Sequence, residues 1–168
     1  RECDDRGDRY GGTTIRAAVL PFVHLTGDDP AGAIDAALAA RRAWTAPGFH
    51  VQHYYATAAE IAARLYRGDL AAAELQLAEL WRGLERSHLA RVQFIRVITR
   101  DLYARTLVAA ARGGADPRLR RALRLAKQLD GERAAWARGL LRSPRAIRLA
   151  NRTGAAAMGG AAAIIATR

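Results

Sequence analysis

The feature of this sequence that most constrains its fold is a repeated piece of punctuation, in which a glycine closes a helix-forming segment and an aspartate or proline opens the next. The marks fall at Gly27, Gly68, Gly114 and Gly154, at separations of 41, 46 and 40 residues. A period of that length is the signature of an αα-repeat, because one helix pair cannot bury its apolar stripe alone and must stack on its neighbours. The expected fold is therefore all-α: an αα-superhelix of stacked antiparallel helix pairs, tetratricopeptide-like, with a period of about 40–46 residues. A compact helical bundle is the alternative.

The residues between the marks agree. Ala, Leu and Arg dominate, all strong helix formers, and alternating patterns are scarce. Asp29-Pro30 and Asp116-Pro117 each offer an N-cap acceptor followed by proline at the first helical position, and Asp69 stands where it can cap the next segment. Gly48, Gly113 and Gly131 add further helix ends. The resulting expectation is helices near 2–26, 30–45, 50–67, 70–86, 89–112, 117–130 and 133–152. Gly11, Gly12 and Pro21 weaken the first, and Ser143-Pro144 should kink or restart the last. Residues 1–153 then form one repeat domain of about four helix pairs, and 154–168 a weak apolar tail that reads as a truncated last helix.

The chain opens at Arg1 without a basic-then-apolar leader, so it is expected to be a segment of a longer protein. The nearly uncharged stretch from Gly154 to Thr167 is shorter than the roughly 20 apolar residues of a membrane-spanning helix, which argues against a transmembrane segment. Cys3 is the sole cysteine, so no disulfide framework exists and a reducing, cytoplasmic setting is the simplest expectation.

Four segments carry a family resemblance: Arg6-Gly7-Asp8-Arg9-Tyr10 with Thr13 and Thr14; Gly48-Phe49-His50-Val51-Gln52-His53-Tyr54-Tyr55; Leu65-Tyr66-Arg67-Gly68-Asp69; and Arg91-Val92-Gln93 with Arg96 and Arg105. By pattern they resemble the C-terminal tetratricopeptide-like helical-repeat region of large bacterial serine/threonine kinase–ATPase signalling proteins. The resemblance implies a non-catalytic protein–protein interaction or regulatory scaffold segment serving domains that lie outside this chain. It weakens after Gly131.

No catalytic apparatus is expected. The only lysine, Lys127, follows no glycine-rich turn, so a phosphate-cradling loop is missing. Ser87 and Ser143 are the only serines and neither sits in a nucleophile elbow. His50 and His53 share a helix face, but only Glu60 stands near as a further ligand, so a polar helix face is preferred over a metal site. No cofactor is implied. Trp44, Trp81 and Trp136 are read as helix-locking packing residues, and Tyr55, Ala58, Ala62 and Leu65 as an ordinary buried face.

Two binding surfaces stand out. Spacings of three and four place polar residues on one face of each odd-numbered helix: Arg6, Arg9, Thr13 and Arg16; then His50, His53, Thr57, Glu60 and Arg64; then Gln93, Arg96 and Arg100. In a stacked repeat these stripes would line a concave groove suited to a protein or acidic peptide, including other domains of the parent chain, since guanidinium pairs bidentately with carboxylate. Equally, every surface helix needs a polar face.

The second surface is the basic C-terminal third. Of the chain's net charge of +11, most lies beyond residue 112, where Arg118, Arg121 and Lys127 precede Arg138, Arg142, Arg145, Arg148 and Arg152. Nucleic acid or an anionic surface would fit electrostatically and forms the alternative function. Nucleic acid is the less favoured partner, because only Trp136 is available there for base stacking and codon bias in a GC-rich genome can supply arginines without selection.

Overall fold

The computed structural model describes residues 2–112, 115–132 and 136. Every regular element among the described residues is helical: α1 (Glu2–Asp5), α2 (Arg9–Ala18), α3 (Leu20–Thr26), α4 (Pro30–Ala43), α5 (Val51–Arg67), α6 (Leu70–Ser87), α7 (Gln93–Ala110) and α8 (Pro117–Asp130), with a short 3-10 turn at Leu89–Arg91. The expected helix 133–152, the kink at Ser143-Pro144 and the tail 154–168 lie outside the described residues. Two compact units divide the chain, Arg1–Ala90 and Arg91–Arg168.

Local chemistry sets the boundaries. Asp29 accepts a hydrogen bond from the Gly32 N–H at 2.8 Å with Pro30 at the first helical position, and Asp116 accepts one from the Arg118 N–H at 2.8 Å ahead of Pro117. Each cap satisfies a donor that the helix leaves orphaned. Gly68 takes φ +81° at the end of α5, and the next N–H, of Asp69, returns to the Arg64 carbonyl at 2.9 Å. A residue with a Cβ is strained there, which is why glycine closes this helix.

The expected helix 2–26 is broken into α1, α2 and α3; Pro21 lacks the N–H that a continuous helix needs and opens α3 instead. Gly27 closes α3 as expected, at φ −90°, and the left-handed residue of the α3–α4 turn is Asp28, at φ +58°. Asp69 is the N-cap residue of α6 as expected, but its side chain makes no capping bond: the carboxylate takes Arg64 at 2.9 Å and Arg67 at 3.0 Å. Two charge-assisted hydrogen bonds outweigh one to a backbone N–H.

In the first unit α5 is the central helix, packed by α2, α3, α4 and α6. Small residues allow the close approach: Ala17, Ala40 and Ala56 meet where α2, α4 and α5 converge, and Ala33, Ile34 and Ala63 join α4 to α5 beneath Leu25 and Leu38. On the far side Leu77, Leu80 and Leu84 of α6 are fully buried. Truncating such a leucine to alanine costs about 2–5 kcal/mol. Tyr55, Ala58 and Ala62 are only half-buried, while Tyr54, Ala59 and Ile61 form the inner surface, because neighbours surround α5 on several sides.

The second unit pairs α7 with α8 through Ala104, Leu107, Leu119, Ala122 and Leu125. At its entry Val92 and Phe94 are exposed. Among the described residues no helix is long and apolar enough to cross a membrane.

Candidate functional site

The expected stripes meet three different fates. On α2, Thr13 is buried, Arg9 reaches Thr45 Oγ1 at 3.4 Å, and Arg16 is exposed. On α5 the outer half of the stripe is internal: Thr57 and Glu60 are buried, and Glu60 receives Arg64 at 2.8 Å and, from α4, Arg41 at 3.3 Å. With a side chain 2% exposed, Glu60 is a buried anion compensated by two guanidiniums. Breaking such a pair is costly, so this part of the stripe binds the fold itself. The Arg64 guanidinium is drained by burial but held above its ordinary value by its bonds to Glu60 and Asp69.

The α7 residues are likewise engaged. Glu132, just beyond α8, takes Arg96 at 2.6 Å and also Arg100, while Gln93 Nε2 donates to the Glu132 carbonyl at 2.7 Å. The Arg96 bond holds the Glu132 carboxyl below the usual range against the pull of burial. Glu132 raises Arg96, whereas burial lowers the more enclosed Arg100. Gln93, Arg96 and Arg100 thus clamp the end of α8.

What remains open lies at the start of α5. His50 is the N-cap residue and His53 stands in the first turn, where the His50 N–H donates to His53 Nδ1 at 3.0 Å. His53 Nδ1 must therefore be unprotonated. His50 Nε2 donates to the Pro47 carbonyl at 2.7 Å, fixing that ring as well. Burial, His50 and Arg41 together lower the His53 pKa and favour the neutral ring.

Around this turn the sequence concentrates aromatic rings. Tyr10 meets Trp44 edge-on at 6.2 Å, Trp44 meets His50 at 5.9 Å, and Phe49 stacks on His53 at 5.7 Å. These rings wall an open groove of about 970 Å³ whose far side is Arg86 and Leu89. A smaller pocket of about 350 Å³ adjoins it, sharing Phe49 and Arg86 and adding Arg41, His53, Thr57 and Arg82. Gly83 of α6 explains how Phe49 can lie so close, since a Cβ there would stand 2.5 Å from two ring carbons.

Of the expected groove residues, the structure brings His50, His53 and Thr57 to these pockets. Reading stripes helix by helix missed Trp44, Phe49, Arg41, Arg82 and Arg86. The Trp44 to His50 segment held a signal in its aromatic density around Pro47-Gly48, whereas Arg82 and Arg86 stand on an even-numbered helix and become relevant only through packing.

The second expected surface is partly described. Arg120, Arg121, Arg124 and Lys127 are exposed on α8, while Arg118 pairs with Asp116 at 3.5 Å and the Arg121 guanidinium lies 4.6 Å over the Tyr103 ring. Arg138, Arg142, Arg145, Arg148 and Arg152 lie outside the described residues. Among the described residues no group of three metal-ligating side chains is assembled.

No protein-family model matches the chain. Neither the curated proteins nor the solved structures with which it was compared yield a match.

Proposed function

We propose that this chain is a non-catalytic interaction segment that receives an acidic, aromatic-containing peptide in the groove at the start of α5. The observation that carries the reading is that an open, ring-lined groove adjoins a pocket rimmed by arginines, the two sharing Phe49 and Arg86. Aromatic and arginine side chains are the residue types that dominate binding energy at interfaces. The expected groove is thereby narrowed to His50, His53 and Thr57 with Arg41, Arg82 and Arg86.

The same reading takes the helices as a tetratricopeptide-like αα-superhelix. Consecutive helices joined by short connections pack together as α3–α4, α5–α6 and α7–α8, and α2 also reaches α5. Short connections favour antiparallel neighbours, the unit from which such superhelices are built. A place in a cytoplasmic bacterial signalling protein, downstream of kinase and ATPase domains, rests on the sequence resemblance.

Selection from a random peptide display library tests the function. Enriched peptides should carry Asp or Glu beside Phe, Tyr or Trp, and lose binding to an Arg82→Gln, Arg86→Gln variant. Enrichment without that composition, or indifference to the variant, overturns the groove. A second reading follows from the exposed cations of α8: single-stranded DNA bound with steep salt dependence and released by Arg120→Gln, Arg124→Gln would instead establish an anionic-polymer surface.

A further inference from the structure

The smaller pocket beside the aromatic groove differs from it in charge. Arg41 reaches it from α4, His53 from the first turn of α5, and Glu79, Arg82 and Arg86 from α6, with the Phe49 ring as its apolar wall. Arg41 is already tied at its back to Glu60 at 3.3 Å and to Gln76 at 3.5 Å. Arg82 and Arg86 are less committed. Each gives its Nε–H to a helix carbonyl four residues back, Ala78 and Arg82 respectively, and both side chains are exposed.

Taking the pocket with the ion-pair network behind it, the guanidiniums of Arg41, Arg64, Arg67, Arg82 and Arg86 face the carboxylates of Glu60, Asp69 and Glu79. Two positive charges are left over, and both uncommitted guanidiniums are on the pocket wall. A monocarboxylate has two oxygens, which one guanidinium satisfies bidentately. A phosphate monoester carries about −1.5 to −2 charges at pH 7 and three acceptor oxygens, which matches the excess and uses both arginines.

We propose that this pocket binds a phosphate monoester on a peptide whose neighbouring apolar side chain lies in the aromatic groove. The proposal rests on the peptide-binding reading above and names the chemistry of its second subsite. Phe49 and Arg86 border both pockets, so the phosphate and an adjoining ring or aliphatic group can be held at once. The His53 ring supports it: its Nδ1 is occupied as the acceptor of the His50 N–H, which leaves Nε2–H as a donor. Burial, His50 at the start of its own helix and Arg41 from α4 lower its titration, and the charged groups facing it from α6 across the pocket are Glu79, Arg82 and Arg86.

The test is a side-chain NMR titration of the full chain with phenyl phosphate, with phenylacetate and inorganic phosphate as parallel probes. Phenyl phosphate should shift the Phe49 and His53 ring resonances, bind about tenfold or more tightly than phenylacetate, and raise the His53 pKa. The Arg82→Gln, Arg86→Gln variant should lose about tenfold or more in affinity, the effect expected for one charge-assisted hydrogen bond. Arg120→Gln, Arg124→Gln, on the other unit, should leave it unchanged. Equal binding of phenylacetate overturns the phosphate assignment and leaves the acidic-peptide groove standing; equal loss in the α8 variant reduces the effect to general cation attraction and overturns it. Absence of any shift with either aromatic probe removes both subsites. Inorganic phosphate matching phenyl phosphate would overturn the claim that the aromatic groove takes part.

Discussion

Gly83 stands in the middle of α6, where glycine costs about 1 kcal/mol relative to alanine, so replacing it should ordinarily stabilise the helix. Here the opposite is expected. A Cβ at position 83 would come within 2.5 Å of Phe49 Cδ2 and Cε2 and 2.9 Å of its Cγ, distances at which the ring must move. The ring is not free to swing, because it also stacks on His53, whose Nδ1 accepts from the His50 N–H. Overpacking of this kind costs about 1–3 kcal/mol, which exceeds or cancels the propensity gain and leaves Gly83→Ala destabilising by about 1 kcal/mol. In a Phe49→Ala background the obstruction is gone and the same substitution should stabilise by about 1 kcal/mol. The coupling is read by urea denaturation of the four proteins of the cycle, as a change of sign of the Gly83→Ala effect. Equal stabilisation in both backgrounds would refute the seating of Phe49 on α6, and with it the shared wall of the two pockets.

Glu60→Gln, which leaves Arg41 and Arg64 facing an uncharged group inside the first unit while Arg64 keeps its bond to Asp69, should cost about 1–3 kcal/mol by denaturant titration. Gly68→Ala should cost about 1–2 kcal/mol, since φ +81° is strained for any residue with a Cβ. Glu132 has its carboxyl pKa lowered in the folded chain, so its contribution is complete above the ordinary value of 4.5 and is lost as pH falls through the folded value; Glu132→Gln should flatten that acid limb of the stability curve. His53 also has its pKa lowered, but as a base: the folded chain binds its proton less readily than the unfolded one, so stability is complete above about 6.5 and declines as pH falls below it. His53→Asn, which retains an acceptor for the His50 N–H, should keep the helix start and lose that decline, as followed by thermal melts between pH 7.5 and 5 (about the range of a histidine titration).

The parts of this fold legible in the sequence are those decided within a few residues. Asp29-Pro30, Asp116-Pro117 and Gly68 set helix boundaries through bonds to the adjacent turn, and they stand where reading the chain placed them. The three-and-four spacing of His53, Thr57, Glu60 and Arg64 was also legible as one face. What it could not convey is that α4 and α6 cover much of that face, turning Glu60 into a buried anion. Arg96 and Arg100 illustrate the same gap from the other side, since the carboxylate that engages them is more than 30 residues away, at Glu132. The arginines of the smaller pocket come from α4 and α6, and only the packing of those helices around α5 brings Arg41, Arg82 and Arg86 to one place.

Hydrogen–deuterium exchange of the chain with and without a display-selected peptide tests the central claim most directly. Slowed exchange at residues 44–53 and 79–89, with α8 unchanged, is the predicted result. Protection confined to α8, or none in the first unit, would contradict it.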